Sequence, residues 1–494
     1  MEKKYVLALD QGTTSSRALL FDQQARLIAM EQEEFTQYFP HEGWVEHEPL
    51  EIWESQQQVM HRVLEKAHVD WSEIASIGIT NQRETAVAWD ARSGRPLGRA
   101  IVWQDQRTRD ICASWKAREE EIRAKTGLVP DTYFSASKFK WLLEHIRTHF
   151  PEVSEDDIRL GTVDSWLLWN MTGGEVFATD LSNASRTLLF NIHELDWDSE
   201  LLAMAGVSRS SLPQVKPSDA QFGHYRGVPI CAVMGDQQSA LFGQLCWEKG
   251  MAKNTYGTGC FMLMNTGHTP NSRPGGLIST IAWGWKGSVS YATEGSVFVA
   301  GAAIQWLRDG LEILQSAAES EGHARNAVDN TVYVVPAFAG LGAPYWDMDA
   351  RGAVFGLTRG SDKSVLIQAT LESLAYQTGD IFEAMVRESG QSMHTLAVDG
   401  GACANDYLMQ FQSDILQIPV ERPTLIESTA CGVAYMSGMT AGLWSEDEVK
   451  KFRTVDREFL PQMEKDEVSR RIQGWKLALD CTRRWKSPWT DNNK

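Results

Sequence analysis

The sequence predicts an α/β protein made of two similar halves with a cleft between them. Its 494 residues exceed what a single hydrophobic core usually organises. Short apolar runs of strand length alternate with segments of helical periodicity, which is typical of α/β folds. A hairpin whose turn contains glycine and threonine opens the chain and occurs again halfway along it, which indicates a duplicated fold.

The first half is predicted to begin with strands and to continue with helices. Apolar runs predict strands at 5–10, 17–22 and 25–30, and a glycine and hydroxyl turn at 11–16 joins the first two. The elements predicted after these are a helix at 50–67, strands at 74–80 and 85–89, helices within 107–150 that are interrupted at 127–130, and a helix at 164–171.

The second half is predicted to repeat this order. Segment 253–265 again places a turn of glycine and threonine between apolar strands, further strands follow at 277–285 and 289–293, and a helix is predicted at 300–314. No linker-like composition separates the halves, so we expect two domains, 1–245 and 246–494, that pack tightly against each other.

Composition excludes several classes of protein. The chain has 47 Lys and Arg against 65 Asp and Glu, a net charge of −18, which repels nucleic acid backbones. Its seven cysteines are scattered without CxxC spacing, which argues against a disulfide framework or a zinc site and favours a reducing cytoplasm. No segment has the character of a signal peptide or a bilayer span, so neither export nor stable membrane insertion is expected.

The two hairpin turns are candidate phosphate sites. Turns of this kind present backbone N–H groups and hydroxyls to phosphate oxygens, and no Gly-Lys dipeptide of a Walker motif is present. Asp10 ends the first strand and could hold magnesium beside bound phosphates. Each turn taken alone could be an ordinary tight turn, but the second copy and the adjacent acid favour phosphate binding.

Two further segments could bind and activate an alcohol. Asp236 follows a predicted strand and precedes the predicted helix 239–245, where it could cap the helix or accept a proton from a substrate hydroxyl. Arg83 and Glu84 are adjacent after a strand, where they could bind a polyol or form a surface ion pair. The Gly-Gly turn before a helix near Asp406 could approach a flat nucleotide base closely.

Several segments resemble the FGGY family of carbohydrate kinases. Residues 133–145 resemble the first family signature, and residues 352–372 are similar to the second, although Val365 replaces a polar residue that the family usually has. The segments that resemble family members acting on glycerol run almost from end to end: 10–17, 81–85, 180–187, 235–244, 253–265, 343–346 and 372–378.

The resemblance implies the actin-like ATPase fold, in which two ribonuclease-H-like domains hold the active site in the cleft between them. It implies ATP-dependent phosphorylation of glycerol to sn-glycerol 3-phosphate in glycerol catabolism, with Mg²⁺, and assembly as a homodimer or homotetramer. Two alternatives remain at this stage. One is a family member acting on another polyol or sugar, such as xylulose or gluconate, and the other is a nucleotide-driven scaffold of the actin and heat-shock type.

The resemblance also implies a set of site residues. Asp236 is implied as the general base, Arg17 as a second catalytic residue, and Asp10 and Asp236 as magnesium ligands. The implied glycerol site consists of Arg83, Glu84, Trp103, Tyr133, Asp236, Gln237 and Phe261. The implied nucleotide site consists of Thr13, Thr14, Ser15, Arg17, Thr258, Gly301, Gln305, Gly401 and Asn405.

Overall fold

The computed structural model describes residues 3–271, 276–328 and 331–485. The strands of the first half are Tyr5–Gln11 (β1), Ser15–Phe21 (β2), Leu27–Glu34 (β3), Glu46–His47 (β4), Ile74–Asn81 (β5), Val87–Asp90 (β6), Ala100–Ile101 (β7), Ile158–Gly161 (β8), Ala178–Asp180 (β9), Phe190–Asn191 (β10), Asp196–Trp197 (β11), Gln214–Lys216 (β12), His224–Tyr225 (β13) and Val228–Gly235 (β14). Its helices are Pro49–Ala67 (α1), Arg109–Trp115 (α2), Glu119–Thr126 (α3), Ser135–His149 (α4), Val163–Met171 (α5), Leu181–Ala184 (α6), Ser199–Ala205 (α7) and Asp236–Gly243 (α8).

The main sheet of the first half has six strands in the order β13-β14-β5-β1-β2-β3. The strand β1 pairs antiparallel with β2 and parallel with β5, and β5 pairs parallel with β14. All eight residues of β5 are buried, and α1 packs against β2 and β3 through its apolar face. The parallel strands therefore lie in the centre of the half, covered on both faces as parallel strands require.

The second half contains the strands Ala252–Tyr256 (β15), Cys260–Gly267 (β16), Ile278–Trp285 (β17), Ser288–Val297 (β18), Tyr333–Val335 (β19), Ala353–Phe355 (β20), Leu396–Asp399 (β21), Val420–Pro423 (β22) and Val455–Phe459 (β23). Its helices are Gly301–Gln305 (α9), Glu319–Asn326 (α10), Lys363–Ser389 (α11), Asp406–Leu416 (α12), Ser428–Thr440 (α13), Glu446–Phe452 (α14) and Lys465–Arg484 (α15).

The main sheet of the second half repeats the arrangement of the first. Its strand order is β17-β18-β16-β15-β21-β22-β23. The strand β15 pairs antiparallel with β16 and parallel with β21, as β1 does with β2 and β5. The duplication predicted from the two hairpins is therefore confirmed at the level of strand pairing.

Two helices cross where the halves meet. The helix α13 contacts α8 and also packs on β1, β5 and β14 of the first sheet. A Cβ atom at Gly432 of α13 would lie 1.9 Å from the carbonyl oxygen of Ser239 in α8, so only glycine allows these backbones to approach so closely. The halves thus pack as tightly as the sequence predicts.

The predicted helix at 300–314 is wrong in its second part. The helix α9 ends at Gln305, and the chain continues in a wider turn over Trp306–Gly310. The amide of Leu311 donates to the carbonyl of Trp306 over 2.9 Å, five residues back, instead of continuing the α-helical pattern. Gly310, which disfavours the helical state, closes this turn.

Two strand predictions are displaced. The strand predicted at 25–30 lies at 27–34, because the Asp22 carboxylate accepts hydrogen bonds from the amides of Gln24 and Arg26 and extends the preceding turn. The strand predicted at 85–89 begins at Val87. Within the described ranges, every helix is too short or too polar to cross a bilayer.

Candidate active site

A cavity of about 330 Å³ lies between the two halves. Residues of the first half line one side, and Thr258, Gly259, Phe261 and Phe298 of the second half line the other. All of the residues predicted to bind the alcohol line this one cavity, namely Arg83, Glu84, Trp103, Tyr133, Asp236, Gln237 and Phe261. We call it the substrate cavity below.

Arg83 follows β5 and is almost completely buried. Its two terminal nitrogens donate to the two carboxylate oxygens of Glu294 over 2.5 and 3.2 Å. Its Nε lies 3.2 Å from Oδ1 of Asp236, and one terminal nitrogen also donates to the Tyr133 hydroxyl over 3.3 Å. The guanidinium is therefore held in one orientation between the proposed base and the sheet of the second half.

Glu84 occupies an unusual backbone conformation. Its φ is 62°, and the amide of Thr85 donates to the carbonyl of Arg83 over 2.7 Å, which closes a tight turn around Glu84. A left-handed backbone is uncommon for a residue other than glycine and is found preferentially at binding sites. This turn allows two adjacent residues, Arg83 and Glu84, to line the same cavity.

Four buried charges form a connected group, which we call the ion network: Arg83, Glu84, Arg186 and Glu294. Arg186 donates from Nε to Glu84 over 2.6 Å and from a terminal nitrogen to Glu294 over 3.0 Å. Burial raises the pKa of Glu84. Burial alone would also raise the pKa of Glu294, but Arg186 and Arg83 outweigh it and hold that pKa at about 2.

Sequence reasoning did not select Arg186 or Glu294 as site residues. Arg186 lies in the segment 180–187, which resembles the family but has no predicted role in the site. Glu294 is a lone acid inside the buried strand β18. A carboxylate at such a position requires a buried cationic partner, and this was the available signal.

Asp236 is the first residue of α8 and directly follows β14. The helix therefore begins three residues earlier than predicted, and Gly235 rather than Asp236 occupies the N-cap position. The Asp236 side chain remains about 28% exposed, and its carboxylate lines the cavity. It is thus placed to meet a substrate hydroxyl rather than to cap a helix.

Aromatic rings form the remaining wall of the substrate cavity. The ring of Trp103 meets Tyr133 edge to face at 5.6 Å and Phe261 at 6.4 Å between centroids. The Trp103 indole N–H donates to the Thr13 hydroxyl over 3.0 Å, so the aromatic wall is tied to the first hairpin turn. Such surfaces cover the C–H groups of a small polyol.

Lys253, which sequence reasoning also did not select, supports the floor of the cavity. Its buried ammonium donates to the Gln237 side chain over 2.5 Å and to the Thr255 hydroxyl over 2.7 Å. Burial lowers the pKa of Lys253 to about 8. Gln237, predicted to contact the alcohol, is therefore oriented by a residue from the second half.

The two hairpin turns approach the same cavity from opposite halves. Thr13 and Thr258 both line it. In the first turn, the amide of Gly12 donates to the carbonyl of Ser15 over 3.0 Å. In the second, the amide of Gly301 donates to the carbonyl of Gly257 over 3.0 Å, which places Gly301 directly against that turn. The predicted phosphate sites are thus adjacent to Asp236.

Two acids, Asp10 and Glu427, lie on either side of Arg17 beside the first turn. One terminal nitrogen of Arg17 lies 2.9 Å from Glu427 and 3.9 Å from Asp10. Burial raises the pKa of Asp10 to about 6, and the nearby charges of Glu427 and Asp236 add to this effect, whereas Arg17 opposes it. A buried carboxylate with so little compensation suits a hard divalent cation.

The other predicted nucleotide residues do not line the substrate cavity, namely Thr14, Ser15, Arg17, Gly301, Gln305, Gly401 and Asn405. Thr14 is exposed at the tip of the first turn, and the Ser15 hydroxyl accepts from Gln32 over 3.0 Å. Gln305 and Gly401 are exposed. The Asn405 side chain caps α12 by accepting from the amide of Leu408 over 3.0 Å and also donates to Ser320 over 3.2 Å.

The Gly400 backbone joins Gly401 to the second turn. Gly400 has a φ of 86°, and a Cβ atom there would lie 2.5 Å from the carbonyl oxygen of Tyr256. Both conditions require glycine. The loop that carries Gly401 is therefore packed directly beside the strand that leads into the second turn.

Fold and cavity together define the class of protein, a carbohydrate kinase with two domains. Residues 5–243 match the N-terminal domain model of the FGGY family of carbohydrate kinases, and residues 252–441 match its C-terminal domain model. The chain belongs to the FGGY family of carbohydrate kinases.

Relatives and solved structures agree with this assignment. The chain is 54% identical to a glycerol kinase from Aeromonas hydrophila and 55% identical to one from Brevibacillus brevis, in each case over 98% of this chain and 99% of the relative. It superposes on the crystal structure of Plasmodium falciparum glycerol kinase with ADP, with a TM-score of 0.89, 32% identity and coverage of 98% and 99%. A xylulose kinase from Lactobacillus acidophilus, 20% identical, shares the fold with a TM-score of 0.86. The predicted fold class is confirmed.

Proposed function

We propose that the chain transfers the γ-phosphoryl group of ATP to glycerol, giving sn-glycerol 3-phosphate and ADP. The observation that carries this function is one cavity lined by both hairpin turns and by all seven predicted alcohol-binding residues. Identities of 54% and 55% over nearly the whole chain to glycerol kinases support glycerol as the acceptor. The reaction consumes glycerol and therefore serves its catabolism.

Substrate binding rests on paired polar groups and an aromatic cover. Arg83 donates to one glycerol hydroxyl and Glu84 accepts from another, while Gln237 adds a further contact. The rings of Trp103, Tyr133 and Phe261 cover the carbon atoms and exclude water from the cavity. The left-handed turn at Glu84 presents the donor and the acceptor side by side.

The chemical step requires positioning and one proton transfer. Asp236 accepts the proton of the reacting hydroxyl as its oxygen forms a bond to the γ-phosphorus. The bond from the γ-phosphorus to the β–γ bridging oxygen breaks, and that oxygen leaves with ADP. Arg17 and the N–H groups of both turns stabilise the negative charge on the transferred phosphoryl group.

The nucleotide lies across the two turns in this proposal. Thr13, Thr14, Ser15 and Arg17 of the first turn and Thr258 of the second hold the phosphates. The adenosine contacts Gly301, Gln305, Gly401 and Asn405. Asp10 and Asp236 would hold Mg²⁺, and the ion supplies neutralisation of phosphate charge; the weakly compensated carboxylate of Asp10 supports this placement.

Three organisational features belong to the same proposal. The domains meet near residue 245, which the family matches ending at 243 and starting at 252 support. The enzyme works in the cytoplasm, where its seven cysteines, all free thiols, stay reduced. It assembles as a homodimer or homotetramer, and size-exclusion chromatography with light scattering measures that assembly.

A coupled ADP-release assay over a panel of acceptors tests the proposed function. Glycerol is expected to support turnover with a kcat/KM at least about 10²-fold above that of xylulose or gluconate, because the relatives at 54% and 55% identity are glycerol kinases. A preference for a sugar would assign another acceptor. ATP hydrolysis that is independent of every acceptor would favour the scaffold alternative.

A further inference from the structure

Glu294 links the sheet of the second half to the arginine of the substrate cavity. It is completely buried on β18, and its carboxylate receives both terminal nitrogens of Arg83. The same carboxylate receives Arg186, whose Nε holds Glu84. Neither Glu294 nor Arg186 is among the residues that line the substrate cavity.

The paired contacts determine which edge of Arg83 meets the cavity. A guanidinium bound through both terminal nitrogens has its plane fixed, and this leaves Nε facing Asp236 at 3.2 Å. Without Glu294, the terminal nitrogens would keep only their hydrogen bonds to Gln238 and Tyr133, and the guanidinium could rotate so that a terminal nitrogen joins Nε in pairing with Asp236. This second contact would occupy the proposed base more fully and withdraw the guanidinium from the substrate.

Arg186 fixes the orientation of the Glu84 carboxylate, as Glu294 fixes that of the Arg83 guanidinium. The Glu84 backbone is held in a left-handed turn, and its carboxylate is buried with Arg186 at 2.6 Å as its nearest cationic partner. The two arginines and two glutamates have no net charge together. This balance allows four ionised groups to remain buried next to an apolar wall.

We propose that Glu294 and Arg186 are positioning residues that set the orientation of Arg83 and Glu84 for the acceptor alcohol. This inference rests on the proposed function. It makes Glu294, on β18 of the second half, a part of the acceptor site although its side chain does not contact the acceptor. Acceptor affinity therefore depends on contact between the halves as well as on the cavity residues.

The first test is the variant Glu294→Gln, which keeps the size of the side chain and removes its charge. We expect the glycerol dissociation constant, measured by isothermal titration calorimetry, to rise at least about tenfold, while the ATP dissociation constant stays within about twofold. The kcat with glycerol is expected to fall as well, because a terminal nitrogen of Arg83 can then join Nε in pairing with Asp236.

The second variant, Arg186→Lys, keeps the network neutral and is therefore expected to disturb folding less than Glu294→Gln, which circular dichroism and thermal unfolding check before binding is measured. One ammonium cannot hold Glu84 and Glu294 in the two-sided arrangement of a guanidinium. We expect the glycerol dissociation constant to rise about three- to tenfold, again with ATP affinity retained.

Asp380→Asn is the matched control. Asp380 is a buried acid of the second half that accepts from the Trp475 indole over 2.7 Å, far from the substrate cavity. Its variant should bind glycerol like the wild type. Unchanged glycerol affinity in Arg186→Lys, or equal losses for glycerol and ATP in a folded Glu294→Gln, would overturn the inference. Wild-type protein that does not phosphorylate glycerol would instead overturn the proposed function, before any variant is compared.

Discussion

At the scale of single residues, the arrangement around Asp236 explains how one carboxylate can act on an alcohol. It lies at the junction of β14 and α8, 3.2 Å from the Arg83 Nε, and opens to the cavity that both hairpin turns border. Arg83 and Glu84 follow β5, Asp236 and Gln237 follow β14 of the same sheet, and Phe261 lies on the second hairpin, so strand ends of both halves bring these residues together.

The variant Asp236→Asn should lower kcat with glycerol by about 10²- to 10⁴-fold, because the amide cannot accept the proton of the reacting hydroxyl. Glycerol affinity, measured by calorimetry, should change little, since the side chain keeps its size. A loss of turnover below about tenfold would remove Asp236 from the role of general base.

The variant Arg83→Ala should weaken glycerol binding by about 10- to 100-fold through the loss of hydrogen bonds from a charged donor. ATP affinity should remain, since Arg83 contacts the ion network and the cavity wall rather than the turns. Arg17→Ala is the control with the opposite pattern, because Arg17 lies beside the first turn and should affect turnover more than glycerol binding. Parallel losses of both affinities in Arg83→Ala would contradict this assignment.

Asp380 carries a pH dependence of stability. Burial raises its pKa from the usual value of 3.8 to about 7. Between these two pH values the folded protein therefore keeps a proton on Asp380 that the unfolded chain has released. Stability therefore decreases as pH rises from about 4 to 7, by about 1.4 kcal/mol for each unit of the shift. Asp380→Asn should remove this decrease. Urea unfolding at pH 5 and pH 8 measures the free energy of unfolding of the wild type and of Asp380→Asn. If the difference between the two proteins is the same at both pH values, the raised pKa of Asp380 is not the cause of the decrease.

Sequence reasoning found part of the cavity lining, missed other lining residues such as Asp131 and Phe298, and missed the charged residues behind the cavity. Arg83, Glu84 and Asp236 are adjacent to strand ends in segments that resemble the family. Contacts between residues far apart in the chain determine the roles of Glu294, Arg186 and Lys253. The sequence alone does not show which distant residues contact each other. Their burial is the only local sign, and it becomes visible when a charged side chain lies inside an otherwise apolar strand.

At the scale of elements, the crossing of α8 and α13 positions the proposed base. The Ser239 carbonyl of α8 lies where a Cβ of residue 432 would be. Any side chain on Gly432 would therefore displace α8, whose first residue is Asp236. The close helix crossing thus connects the packing of the two halves to the geometry of the reaction.

The variant Gly432→Ala should destabilise the protein by about 1–3 kcal/mol through overpacking and should lower kcat. The matched control is Gly322→Ala in α10, where no heavy atom lies within 4 Å of the added methyl group; this change should stabilise by about 0.5–1 kcal/mol. Thermal unfolding and turnover measure both. A Gly432→Ala protein as active and stable as the control would show that the helices can separate without consequence.

The strands β1, β2, β5, β17 and β18 lie close to their predicted positions because their apolar runs are short and bounded by turn residues, whereas β22 and β23 of the second sheet are not predicted from the sequence. The helix predicted over 300–314 failed because its apolar residues keep a helical spacing that continues past the point where the hydrogen bonding changes. The wide turn at Trp306–Gly310 depends on packing of Trp306, which periodicity does not reveal.

At the scale of the whole molecule, the cavity exists only because the two halves contact each other. Thr13 and Thr258 lie in the hairpin turns of different sheets, and both line the substrate cavity. Family resemblance predicted this arrangement, whereas composition and periodicity alone predicted only a cleft. The duplicated strand order explains it physically, since equivalent hairpins of two similar halves point toward a shared interface.

Ligands should stabilise the folded protein in an order that follows this arrangement. Glycerol at about 100 times its dissociation constant should add about 2.7 kcal/mol of stability through binding to the folded state. Differential scanning fluorimetry should show a rise in Tm with glycerol, a further rise with a non-hydrolysable ATP analogue, and no rise with gluconate. An equal rise with gluconate would contradict a cavity selective for glycerol.

The contact between Arg83 and Glu294 also limits how the enzyme can open. It joins the two halves at the base of the cleft and is shielded from water, and separating a shielded ion pair is costly. We therefore expect the buried contact between Arg83 and Glu294 to act as the hinge when the cleft opens. Admission of glycerol would then depend on rotation about this ion pair, which would separate Gln106 of the first half from Met348 of the second, two residues that line the cavity.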